Sequence, residues 1–269
     1  MSCQHHPTGG HTTERNRPPD ERDVREQQAA AIHEQLTAAH EAILAAVAGT
    51  GAVAISLSSL ALVRRAISLR FSRYDDAIAD AFRETAYGGA ERGRETTVRR
   101  FDLDTEPTFS RTDGGPLPER DPFDATRRDL DRGARRDWNL VKGRMADDIA
   151  GSIVDANDAG MSREEIADRL RFKLPSAGSY EAERIADAEL SMGIGRGQLS
   201  AFQDSSNDSK RWGTQLDSRV RVSHRAMEGV RVPLGEPFVV GPSQSPARYP
   251  GDWRLPPRER LGCRCFLTI

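Results

Sequence analysis

At about Asn207 the hydrophobic pattern of this chain changes its period, and that change constrains the fold more than any other feature. Before it, apolar residues recur three and four apart: Val24, Ile32, Leu36, Ile43, Leu44 and Val47 form one stripe, and Trp138, Val141, Met145, Ile149 and Ile153 another. That spacing places them on one face of a helix. After Asn207 the residues from Trp212 to Val222 alternate, with Asp217, Arg219 and Arg221 predicted on one side of a strand and Val220 and Val222 on the other. Pro237–Val240 and Cys265–Ile269 are further strand candidates, and Gly and Pro punctuate the chain between them. The expected fold is therefore α+β: a long helical N-terminal and central body followed by a small C-terminal domain of short strands and loops.

Local signals divide the chain further. Residues 1–19 read as a disordered tail without a signal peptide, and Asp20, after two prolines, is a candidate N-cap. A helical region is expected over 20–101, closing near Gly88-Gly89, with a linker over 102–136, where prolines and paired glycines replace periodicity. A second helical region follows over 137–206. In it Gly160 can end one helix, Ser162-Arg163-Glu164-Glu165 reads as a capping box for a short helix, and another helix runs from about Tyr180 to Phe202. The C-terminal domain is placed at 207–269.

Within the first helical region, Ala42 to Val63 carries no charge and is long enough to cross a bilayer. Its Ala, Gly and Ser content, interrupted at Gly49-Thr50-Gly51, suits a buried helical hairpin turning at the glycines. Membrane contact through 42–63 is the alternative.

Charge and cysteine usage narrow the function classes. The chain holds 39 Lys and Arg against 41 Asp and Glu, so bulk charge does not make it a nucleic-acid binder. From Asn207 onward about 11 basic residues face about 6 acidic ones, a local basic excess. The three cysteines form no secreted disulfide framework. Cys3, His5, His6 and His11 read as a solvated tail before they read as a metal site. Gly193-Ile194-Gly195-Arg196-Gly197 looks like a phosphate loop, but no strand precedes it and no Lys-Ser/Thr follows, so that reading is set aside.

The C-terminal region carries an ordered set of polar residues: Trp212, Thr214, Asp217, Arg219, Arg221, His224, Met227 and Gly229, then Pro250-Gly251-Asp252, and last Cys263-Arg264-Cys265. This series resembles the C-terminal domain of the phage Mu F-like minor head proteins, also called phage head morphogenesis proteins. The resemblance is close over Lys210 to Ile269 and looser over the preceding helices, where Glu165-Ile166-Ala167 with Leu170, and Ile185-Ala186 with Glu189, are similar to the family's lead-in. Gly262 stands where asparagine is common in the family. The resemblance implies a structural protein inside or at the portal vertex of a viral head, in the host cytoplasm during assembly. Its implied partners are the portal protein and other capsid components.

Several of these residues also have a chemistry of their own. His224, Cys263 and Cys265 offer an imidazole and two thiolates, good donors for Zn²⁺, with Asp217 or Asp252 as a fourth. The alternative is that the cysteines are half-buried small hydrophobes and His224 holds a turn. Arg219 and Arg221 are the candidates for contact with non-specific DNA or a partner subunit, against a half-solvated ion-paired row. Trp212, Phe238 and Trp253 are expected to pack the C-terminal domain. No enzyme is expected, since nothing in the spacing forces Asp217, His224 and a cysteine together as a catalytic set. Two rival functions remain: an effector or toxin carrying a Mu F-like domain, and a membrane-active ejection protein built around 42–63.

Overall fold

A computed structural model describes residues 19–49, 57, 59–104 and 123–269. The tail expected over 1–19 lies outside these residues except for Pro19, which opens α1. Five long helices come first: α1 Pro19–Ala48, α2 Leu60–Phe71, α3 Asp75–Phe101, α4 Asp124–Asp158 and α5 Arg163–Gln203. A 3₁₀ turn at Ser72–Tyr74 joins α2 to α3. Then come β1 Ser209–Thr214, the single turn α6 Val222–Arg225, β2 Arg231–Pro233, β3 Phe238–Val240, β4 Ser245–Ala247, the single turn α7 Pro257–Arg260 and β5 Cys265–Thr268. The α+β organisation expected from the sequence is the one observed.

Local chemistry fixes the helix ends. The Ser59 hydroxyl accepts from the Leu62 amide at the start of α2. The α4 helix closes on Gly160 at φ 78°, where the Met161 amide reaches the Ala156 carbonyl and the Gly160 amide reaches Asn157. These two bonds satisfy carbonyls the helix end leaves open, and the left-handed φ suits glycine. One turn later Ser162 and Glu165 form the full capping box of α5.

Packing overrides several local signals. The α3 helix runs straight through Gly88-Gly89, because Gly89 and Gly93 are where it crosses α5. The two helices expected in 162–202 are one, with the exposed Pro175 inside it, and α1 packs along its length. The linker drawn to residue 136 is too long: α4 begins at Asp124 and buries Leu130 and Ala134 before the stronger stripe at Trp138 starts. Of the uncharged run 42–63, Ile43, Leu44, Ala46 and Val47 of α1 and Val63 of α2 lie in one core, and Gly49 turns the chain at φ 78°. Residues 50–56 and 58 lie outside the described residues. No helix among the described residues is long and apolar enough to cross a membrane.

Two cores result. The first joins all five helices, α1 to α5, centred on Phe71, Phe82 and Trp138; the Trp138 ring meets Phe71 and Phe82 edge to face at 5.9 and 6.1 Å. The second is shared: Ala86, Leu130, Met192, Leu199 and Phe202 from the helices meet Trp212, Phe238, Tyr249, Leu255 and Leu267. Over it lies the sheet β2-β1-β5, antiparallel throughout, with Trp212 opposite Leu267 and Thr214 opposite Cys265. β3 and β4 form a separate hairpin. The C-terminal module therefore sits on the far ends of α3, α4 and α5.

Candidate metal centre and the seam around it

The strand predicted from Trp212 to Val222 stops at Thr214. Leu216 turns at φ 55°, and the Asp217 carboxylate accepts from the Arg219 amide, folding the chain into a turn instead of an extended row. Asp217, Arg219 and Arg221 therefore share no strand face. Asp217 pairs with Arg264 at 2.6 Å. The Arg221 guanidinium donates to the Leu261 carbonyl, and Arg219 lies exposed on the turn.

The turn delivers the chain into α6, which carries His224 into the interior at 1% exposure. There His224 Nδ1 lies 3.3 Å from Cys265 Sγ and 3.5 Å from Cys263 Sγ. Cys263 precedes β5 and Cys265 opens it, so the Cys-x-Cys spacing aims both sulfurs at one ring. Among the described residues these three form the group of His, Cys, Asp or Glu whose ligand atoms all lie within 4.8 Å of one another. Neither carboxylate expected as a fourth ligand joins them. Asp217 is taken by Arg264, and Asp252, fully buried, accepts from the Arg248 and Arg254 amides and the Arg254 guanidinium.

The surroundings orient the cluster. Glu259, on α7, sits 3.2 Å from His224 Nε2 and accepts from Ser223 at 2.9 Å. Nε2 makes no hydrogen bond, but a ring proton drawn to it by the neighbouring carboxylate leaves Nδ1 as the lone-pair nitrogen facing the sulfurs. The Cys263 thiol is held well below its ordinary range, first by the hydrogen bond from Cys265 and then by His224; the same bond pushes Cys265 up. The Trp212 indole N–H favours negative charge on Cys265, and its ring meets His224 edge to face at 5.6 Å.

The donor set fits a zinc ion. Bonds of about 2.0 Å to nitrogen and 2.3 Å to sulfur in a tetrahedron separate the two atoms by about 3.5 Å, close to the distances present here. The same separations serve S–H···N hydrogen bonds when no ion is bound.

A second polar group joins the module to the helices. Asp129 of α4, 3% exposed, accepts from Tyr249 at 3.2 Å, Trp253 at 3.1 Å and Arg254 at 2.7 Å, with Arg196 of α5 3.6 Å away. Burial raises its carboxyl, but the Arg254 and Trp253 bonds and the two arginine charges outweigh that and hold it below the ordinary range. Two turns further along α4, Asp137 holds Arg260 of α7 in a buried two-pronged pair, one prong at 2.6 Å. Glu189 of α5, fully buried beside them, is pushed well above the ordinary carboxylate range by burial and then by Asp137.

The glycine-rich run of α5 is a packing seam. Side-chain carbons on Gly193 and Gly197 would collide with the Ala86 and Ala90 carbonyls of α3, and one on Gly195 would stand 2.9 Å from the Tyr249 ring. Trp212 and Phe238 are fully buried in the module, rings 5.2 Å apart, whereas Trp253 packs outward onto α4. Sequence reasoning missed Glu259, Asp129, Asp137 and Arg260. The one available signal was on α4, where two aspartates eight apart fall on the face that carries Leu130 and Trp138.

This architecture defines a helical body with a small strand-built module seated on its end, held by buried ion pairs and centred on a His-Cys-Cys cluster. Residues 147–268 match the family model described as Phage Mu protein F like protein. The chain thus carries a Phage Mu protein F-like domain from the second half of α4 to the end of β5. No curated protein and no solved structure matches the chain.

Proposed function

We propose that this protein is a structural minor head protein of a tailed virus, located inside or at the portal vertex, where it assists capsid assembly, genome packaging or DNA delivery. The observation that carries this reading is the Mu F-like match over 147–268, which spans the His-Cys-Cys cluster and the whole of α5 beneath it. In this reading the outer surface of the helical body docks on the portal and neighbouring capsid proteins. The basic C-terminal module meets the genome without reading its sequence, with Arg219 at the contact. Arg221, bound to the Leu261 carbonyl, holds the module's shape.

The cluster holds a Zn²⁺ ion as a staple for a module of short strands, with His224 Nδ1, Cys263 Sγ and Cys265 Sγ as ligands. When bound, the ion supplies folding energy and no chemistry.

Heads assembled with and without this protein test the main reading. Density at the portal vertex in reconstructed particles, lost when the protein is deleted, is the expected result; heads that never contain it would overturn the proposal. Elemental analysis of the full chain should find about one zinc per molecule, lost in Cys263→Ser/Cys265→Ser, and its absence under reducing conditions dismisses the metal. Retention on DNA should fall with added salt and with Arg219→Ala. Unchanged retention assigns the basic face to a protein partner.

A further inference from the structure

Glu259 and Arg260 are consecutive residues of the single turn α7, and they serve two different structures. Glu259 approaches His224 Nε2, on the side of the ring opposite the nitrogen that faces the sulfurs. Arg260 reaches out of the module and grips Asp137 of α4, next to Glu189 of α5. The turn is also tied to the ligand loop itself: the Arg260 carbonyl accepts from the Cys263 amide at 3.0 Å, and Leu261 accepts from Arg221. Both α7 side chains are buried, at 5% and 4% exposure, so neither can shift without emptying a packed site.

From this placement we infer that Glu259 is the positioning residue of the metal centre, and that α7 couples metal loading to the seating of the C-terminal module on α4 and α5. The inference rests on the zinc reading above. The Glu259 carboxylate, 3.2 Å from Nε2, favours the tautomer with the ring proton on that nitrogen and so presents the Nδ1 lone pair to the two sulfurs. An ion drawn onto that lone pair makes the Nε2 proton a stronger donor, draws it into a hydrogen bond with the neighbouring Glu259 and holds α7 in place, which holds Arg260 on Asp137. Linkage is reciprocal, so a seated Arg260 must favour metal binding by the same factor.

The test uses the full chain, loaded with Zn²⁺ or stripped by a chelator, and reads hydrogen exchange along the backbone. Zinc removal should raise exchange in 257–261 and also in α4 around Asp137 and α5 around Glu189, with α2 unchanged. A rise confined to the ligand segments 212–229 and 262–268 overturns the coupling. As a second arm, Zn²⁺ affinity is measured by competition with a chelating dye. Glu259→Gln should weaken it by about tenfold to a hundredfold, and Arg260→Met, which removes no ligand, by about fivefold or more. Affinity unchanged in Arg260→Met overturns the coupling even if Glu259→Gln is weak. Should Arg260→Met fail to fold, the exchange comparison on the natural chain decides alone. A natural chain that binds no zinc removes the metal reading and this inference together, an outcome distinct from zinc bound without a response in α4.

Discussion

A side-chain carbon placed on Gly89 of α3 would stand 2.7 Å from the carbonyl oxygen of Leu190 on α5, whereas one on the adjacent Gly88 would meet nothing within 4 Å. Two neighbouring glycines thus have opposite reasons to be small. Gly89→Ala is expected to destabilise the chain by about 1–3 kcal/mol, because backbone lies against backbone and no flexible side chain can yield. Gly88→Ala should stabilise it by up to about 1 kcal/mol through helix propensity and a less free unfolded chain. Urea unfolding of the two variants side by side checks this, and equal effects would deny the close crossing.

Pro175 lies exposed in the interior of α5, where its ring removes one helical hydrogen bond. Pro175→Ala should raise stability by about 1–3 kcal/mol. A loss of stability would mean that the helix is broken there and that the proline serves the break.

His40 of α1 is buried at 4% exposure, and burial, followed by the charge of His33, lowers its pKa to about 4. The unfolded chain takes up this proton near pH 6.5, the folded chain only near pH 4, so the unfolded state binds more protons between these values. The contribution is full above pH 6.5, falls as pH drops from 6.5 to 4, and amounts to about 3 kcal/mol at most. A His40→Leu variant should show a flatter stability profile across that window; an unchanged slope would assign it to other groups.

Asp129 gathers donors from Tyr249, Trp253 and Arg254, so one α4 carboxylate holds three residues of the C-terminal module. Asp129→Ala should cost about 3–5 kcal/mol, since it strands buried arginine charge as well as removing bonds. Because the folded carboxyl is held below its unfolded range, its contribution is present above the ordinary carboxylate pKa and disappears as pH falls through the lower folded value. Acid unfolding curves of the natural chain and the variant should converge at low pH; curves that stay parallel contradict this.

Sequence reading reached the parts of this fold that local chemistry determines. Ser162 and Glu165 are three apart in the chain and close their capping box regardless of what packs around them, and Gly160 ends α4 for a reason visible in one residue. His224, Cys263 and Cys265 were legible because their side chains have few uses other than ligation when grouped. What stayed hidden is non-local. Nothing near Glu259 in the sequence announces His224, 35 positions earlier, and Asp217 was misplaced because alternation from Trp212 to Val222 imitates a strand until the Asp217–Arg219 turn is seen. The α3–α5 crossing turned Gly88-Gly89 from an expected stop into an ordinary stretch of helix, since only the partner helix shows what the glycines are for.

The second core draws Met192, Leu199 and Phe202 from α5 and Ala86 from α3 to line the underside of the strands. A transplant that borrowed only the last sixty residues would carry every ligand and leave behind the floor on which they stand. Evolution can therefore trade this module between proteins only together with the ends of the helices beneath it, and a gene boundary drawn at the first strand would cut through the middle of a hydrophobic interior.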